Sequence, residues 1–183
     1  MSPHDLSALL ADQLSQSQPA QSREQRQGAI ARIELHGDAA ATAAASRFAH
    51  VTVDERGEHG RVVKGLGDGA MLVFSDAAEA VAAWRRFRAS MADPGDPALH
   101  GGVHQGVVVR REGDYFGAAV NLAARLMALA GRDELLATRA AVESAGAEET
   151  WVPLGSRRLR GLREEVEIFR LEAGPSTSPG AGS

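Results

Sequence analysis

The chain has 183 residues, 44% hydrophobic and 24% charged, which suits one globular domain with a buried core. A formal net charge of -4 argues against a general nucleic-acid binder, and the lack of cysteine excludes disulfides and thiolate chemistry. The opening MSPHDLSALLADQ has no basic region leading into an apolar one, and no apolar run reaches membrane-spanning length. The expectation is a cytoplasmic protein that does not insert into a membrane.

Leu6, Leu9, Leu10 and Leu14 stand at helical spacing behind Asp5, and residues 15–27 form a Gln/Ser-rich linker; together they set off an N-terminal segment, 1–28. Residues 29–35 alternate well enough for a first strand. Asp38 then caps an alanine-rich stretch, 39–53, that favours helix. In residues 61–74, RVVKGLGDGAMLVF, two β-rich runs flank Gly67-Asp68-Gly69, the pattern of a hairpin. The glycines let a ligand approach the backbone, and Asp68 is a carboxylate that a hard cation could bind.

Ser75 is the expected cap of a helix over 76–91, whose apolar face is Ala80, Val81, Trp84, Phe87 and Met91 and whose Arg85, Arg86 and Arg88 face solvent. A loop, 93–97, leads to a strand over 99–110. It contains His100 and His104, which read as structural histidines because no third metal ligand is near. A charged turn, 111–114, precedes a helix over 118–130 with Val120, Ala124 and Met127 on one side. A strand (134–137), a short helix (138–145) and two strands (151–154, 166–171) joined by a basic stretch complete the domain. Residues 173–183, AGPSTSPGAGS, have the composition of a disordered tail.

Four pieces occur in order: Lys64-x-x-Gly67-Asp68-Gly69, Gly113-Asp114-Tyr115-Phe116-Gly117, Val120-Asn121-Leu122-Ala123-Ala124-Arg125, and Leu159-Arg160-Gly161. In that combination the chain resembles the catalytic domain of class III adenylate and guanylate cyclases, from about His36 to Leu171. The resemblance implies an α+β fold: a ferredoxin-like βαββαβ core with a mixed or antiparallel sheet and packed helices, over residues 29–172. It also implies conversion of ATP to cyclic AMP and pyrophosphate in intracellular signalling, with Mg2+ or Mn2+ as cofactor.

Cyclisation is attack of the ribose 3′-hydroxyl on the α-phosphorus. It needs cations to offset phosphate charge, a polar group to orient the ribose, and groups that read the base. By resemblance, Asp68 is a metal ligand, Asn121 orients the ribose and Arg125 stabilises the transition state. Lys64 and Asp114 correspond to the base readers. Lysine donates to adenine N1 and the carboxylate accepts from N6, so the pair suits ATP. Arg160 stands where the family usually has a polyphosphate-binding lysine, and it keeps the charge. Family sites form between subunits, so the implied assembly is a homodimer, or a heterodimer with another cyclase chain.

One family feature is displaced. A second metal aspartate, expected in the first strand, falls near Gln25 when His36-Gly37-Asp38 and Arg47-Phe48 anchor the alignment, and no aspartate lies between Asp12 and Asp38. A second alignment matches Glu34-Leu35-His36-Gly37 to the metal strand and makes Glu34 the carboxylate; Glu24 is a further candidate. The alternative to an active enzyme is a degenerate cyclase-like protein that binds nucleotide, or that lends a half-site to a partner chain without turnover alone.

Overall fold

Alternation along the first strand decides the layering. Ala29, Ala31 and Ile33 point into one buried layer, while Ile30 between them points into another. Both faces of the strand are therefore apolar, and it must lie in the middle of a covered sheet.

The computed structural model describes residues 24–36, 61–66, 69–91, 96–111 and 114–173. Among these, the strands are β1 (Glu24–His36), β2 (Arg61–Leu66), β3 (Gly69–Phe74), β4 (Ala98–Arg111), β5 (Asp114–Phe116), β6 (Leu135–Thr138), β7 (Trp151–Arg158) and β8 (Glu165–Leu171). The helices are α1 (Ala77–Ser90), α2 (Ala118–Leu129) and α3 (Arg139–Ala145). The strands form one sheet in the order β2-β3-β1-β4-β6-β8-β7, with β5 paired to β4. Only β4–β6 is parallel among these pairs. The antiparallel run β2-β3-β1-β4 is the strand order of a ferredoxin-like βαββαβ unit, so the fold is α+β with a mixed sheet.

On one face α1 buries Ala80, Val81, Trp84 and Phe87 against Ile33, Leu72, Phe74, Leu99 and Val103. Phe87 is fully buried, a contribution of about 1.5–3 kcal/mol for such a side chain. On the other face α2 lays Ala119 and Ala123 over Ile30, Met71, Val108 and Tyr115. Its Leu126 packs with Leu136, Leu159 and Ile168. Small residues bring α2 very close to the sheet. At Gly102 of β4 a Cβ would stand 2.4 Å from both Ala123 O and Met127 N, so only glycine fits.

Several expectations shift. β1 begins at Glu24, inside the stretch read as linker, because residues 24–28 pair with 106–110 of β4. Asp76 rather than Ser75 caps α1, its Oδ1 accepting from Glu79 N at 2.9 Å. The buried side of α2 is Ala119, Ala123 and Leu126, one position from the expected Val120, Ala124 and Met127. Asp114 belongs to a short strand rather than to a turn. The basic stretch continues β7 as far as Arg158. Arg85 and Arg88 are not simply solvated: Arg85 pairs with Glu149, and Arg88 Nη1 lies 3.1 Å from Asp133 Oδ1. The helices expected at the N-terminus and over 39–53 and the tail from 174 lie outside the described residues. No helix among the described residues is long and apolar enough to cross a membrane.

Candidate active site

The carboxylate side is built by register. β1 runs antiparallel to β3 with Ile33 opposite Ala70 and Glu34 opposite Gly69. β2 and β3 close with Leu66 opposite Gly69. Gly67 and Asp68 fall between those paired ends in sequence and lie outside the described residues. Gly69 permits the close approach, since a Cβ there would stand 3.0 Å from Ile33 O and 3.5 Å from Glu34 Cβ. Gln25 pairs with Val109 and Glu24 with Arg110, at the far end of β1. The alignment that seeks a counterpart near Gln25 is therefore corrected by the sheet: the β1 carboxylate next to the hairpin end is Glu34.

The Glu34 side chain is one-third exposed, and its Oε2 lies 3.2 Å from His100 Nε2. Arg32, two residues earlier, shares the strand face with Glu34. Burial holds its guanidinium below the ordinary arginine range, and attraction to Glu34 opposes that. Its Nε is buried and has no hydrogen-bond partner among the described residues. A partly exposed carboxylate opposite Gly69, the residue that follows Asp68 in sequence, suits a hard cation such as Mg2+ or Mn2+, which takes oxygen ligands. Among the described residues no group of three or more His, Asp or Glu side chains could hold a metal by itself.

The cationic side is built on α2. Asn121 is exposed and Arg125 half-buried, one turn apart on the side away from Ala119 and Ala123. Arg125 meets the Leu159-Arg160-Gly161 turn: a methyl on Gly161 would sit 3.1 Å from Arg125 Nη2. Gly161 has φ +77, which favours glycine, and Leu162 N donates to Leu159 O at 3.0 Å to close the turn. Leu159 is buried beside Leu126 and pins the turn to α2, while Arg160 stays exposed. The structure thus gathers Asn121, Arg125 and the turn bearing Arg160. It does not bring Asn121 and Arg125 to Glu34 within one chain, because α2 lies between: they occupy its outer side, and Glu34 occupies the sheet face that α2 covers.

The two base-reading candidates lie on approaching strands. β5 pairs with the end of β4 and packs Tyr115 with Val63 of β2 and Ala119 of α2. Lys64, next to Val63, pairs in the backbone with Met71; its side chain is outside the described residues. Asp114 is half-buried, and its Oδ1 accepts from Tyr115 N at 2.8 Å.

Two positions gain a role only in the folded chain. His100 was grouped with His104 as structural, but on a strand both point to the α2 face, and only His100 reaches Glu34. His104 Nδ1 instead lies 2.8 Å from Thr138 Oγ1, and burial lowers its proton affinity. Gly102 gains its role only when α2 is set against it. Cross-strand register is the signal that links His100 to Glu34, and it is not contained in either strand alone.

Known proteins resemble the chain in sequence and in fold. A pH-sensitive adenylate cyclase of Mycobacterium tuberculosis is 36% identical over 126 residues, covering 66% of this chain and 32% of that protein. The chain thus spans about a third of that relative's length. An adenylyl cyclase from P. aeruginosa superposes with a TM-score of 0.69 at 15% identity, over 84% of this chain and 98% of that one. An adenylate/guanylate cyclase/hydrolase from Silicibacter pomeroyi gives 0.68 at 21% identity, over 82% and 98%. No family model matches the sequence. With the ordered motifs, the α2 and hairpin geometry, and these relatives together, the chain belongs to the class III adenylate/guanylate cyclase catalytic domains.

Proposed function

We propose that the chain is an adenylate cyclase subunit that makes cyclic AMP and pyrophosphate from ATP, with Glu34 and Asp68 as its metal carboxylates. The observation that supports this most is the β1–β3 register, in which Glu34 faces Gly69 beside Asp68. A bound Mg2+ or Mn2+ would offset phosphate charge and favour loss of the 3′-hydroxyl proton. Asn121 holds the ribose so that its 3′-oxygen lies in line with the α-phosphorus. Arg125 opposes the negative charge that grows on the phosphoryl oxygens as the new O–P bond forms and pyrophosphate leaves. Arg160 binds the polyphosphate, and Lys64 and Asp114 read adenine. Because Glu34 and the Asn121/Arg125 pair lie on opposite sides of α2, a complete site takes one set from each of two chains. Half-exposed Val107 and Phe116, beside the start of α2, are in keeping with such a partner.

The test is cyclic AMP production by the purified chain with Mn2+ and ATP. Turnover that Glu34→Gln abolishes supports the proposal; no turnover from a dimeric, folded chain overturns it. The lack of an aspartate between Asp12 and Asp38 favours one second reading. In it the chain keeps the Arg125 half-site and gives turnover only when mixed with a cyclase chain that carries the metal half.

A further inference from the structure

We infer that His100 is a positioning residue for Glu34, fixing that carboxylate for a cation and tying the end of β1 to the end of α2. This rests on the reading of Glu34 as a metal carboxylate. His100 stands directly opposite Glu34 in the β1–β4 register, and only 9% of its surface is exposed. Its two ring nitrogens meet different oxygens: Nδ1 lies 3.3 Å from Ala130 O and Nε2 lies 3.2 Å from Glu34 Oε2.

The Ala130 carbonyl can only accept, so the hydrogen-bond network assigns the Nδ1 proton to that bond. Nε2 faces the Glu34 carboxylate oxygen at 3.2 Å. The ring is held at both ends, and its plane sets the direction from which Oε2 is gripped.

Two features make this more than core packing. Glutamate is a methylene longer than the aspartate that the family places in the first strand, so its carboxylate has an extra torsion to fix before it can serve as a ligand. A buried histidine that takes one oxygen removes that freedom, as outer-sphere partners of metal carboxylates do. The second feature is Ala130 itself. It is the C-cap of α2, and its own N–H returns to Leu126 O and Met127 O. Its carbonyl is among those that a helix end leaves without an intrahelical donor, and His100 supplies one.

Two substitutions separate the ends of the ring. His100→Gln keeps an amide donor near the place of Nε2, toward Glu34. His100→Asn keeps one near Nδ1, toward Ala130, and loses Glu34. The full chain is titrated with Mn2+ alone, and binding is read from loss of the free-Mn2+ EPR signal, with thermal melting followed in parallel. The expected result is Mn2+ affinity about tenfold weaker in His100→Asn and clearly less affected in His100→Gln. In a Glu34→Gln background, His100→Asn should add no further loss. Equal affinities in the Asn and Gln variants, or an Asn effect that persists without the Glu34 carboxylate, would overturn the positioning role alone. Wild-type Mn2+ binding that is absent, or that Glu34→Gln leaves unchanged, would overturn the metal reading of Glu34 and the His100 role with it.

Discussion

Adding one methyl group at Gly102 tests whether the seating of α2 controls chemistry. Alanine in a strand ordinarily costs nothing and slightly stabilises through the unfolded chain. Here its Cβ would meet Ala123 O and Met127 N at 2.4 Å and Leu126 Cβ at 2.7 Å. The first two are helix backbone and cannot rotate away. Restoring ordinary contact near 3.5 Å requires α2 to lift by about 1 Å. Overpacking of this kind costs about 1–3 kcal/mol, which at about 2–4 °C per kcal/mol lowers the melting temperature by several degrees. A displacement of about 1 Å at Asn121 and Arg125 also costs on the order of 100-fold in turnover. Gly101 supplies the control from the same strand. Its Cβ would point to the other face, 3.0 Å from the ends of the Leu135 and Trp84 side chains and 3.2 Å from Arg32 O, a milder crowding that leaves α2 in place. The measurements are thermal melts by circular dichroism and cyclic AMP formation at saturating Mn2+ and ATP. Gly102→Ala should lose both stability and kcat, while Gly101→Ala loses a smaller amount of stability and keeps kcat. Wild-type turnover in Gly102→Ala, or equal kcat losses in the two variants, would refute the link between α2 seating and catalysis.

Gly161→Ala combines a strained φ of +77 with crowding of Arg125 Nη2, and should lower kcat with a stability loss of about 1 kcal/mol, read by the same two assays. Lys64→Glu replaces a donor to adenine N1 with an acceptor, so the ratio of ATP to GTP turnover should fall; an unchanged ratio would make Lys64 a strand charge only. Burial keeps the folded-state proton affinity of His104 below the ordinary value of 6.5, so the unfolded chain binds more protons in mild acid. Its contribution to stability is complete above 6.5 and is lost as pH falls toward the folded value, so wild type should lose more stability than His104→Asn between about pH 7.5 and about pH 5.5 in denaturant titrations. Mixing Arg125→Ala with Glu34→Gln chains, each inactive alone, should restore activity, because one site of a mixed dimer then has both sets intact.

The elements most legible in the sequence were those with a strong period or strong punctuation. Ala80, Val81, Trp84 and Phe87 announced α1, and the β-rich runs 61–66 and 69–74 announced the pairing of β2 with β3. What could not be read was anything decided by a partner strand. The start of β1 at Glu24 depends on pairing with β4, since Glu24-Gln25-Arg26-Gln27 has no apolar alternation of its own. The buried side of α2 missed by one position for a related reason. Five of its twelve residues are alanine, so hydrophobicity does not distinguish Ala123 from Ala124, and the approach at Gly102 decides which one faces the sheet. The set Asn121, Arg125 and Arg160 was legible as motifs, but its assembly was not: Gly161 lies 36 residues after Arg125, and Leu159 packing under Leu126 is what joins them.

Glu34 shows most clearly how the sheet constrains the site. A one-residue slip of β1 would turn Ile30, Arg32 and Glu34 to the α1 face and Ala29, Ala31 and Ile33 to the α2 face. That slip would bury a carboxylate and a guanidinium among Trp84 and Phe87, so the apolar demands of the core fix which residue stands beside the hairpin. The carboxylate is thus set by packing before any ligand is considered. From Glu34, contacts continue through His100 to Ala130 at the end of α2, and α2 carries Arg125 against Gly161. The carboxylate and cation sets face opposite ways in one chain, yet both are held by the same helix. A shift of α2 therefore cannot leave either set untouched, and in a dimer built as proposed it would alter the groups that one chain contributes to both sites.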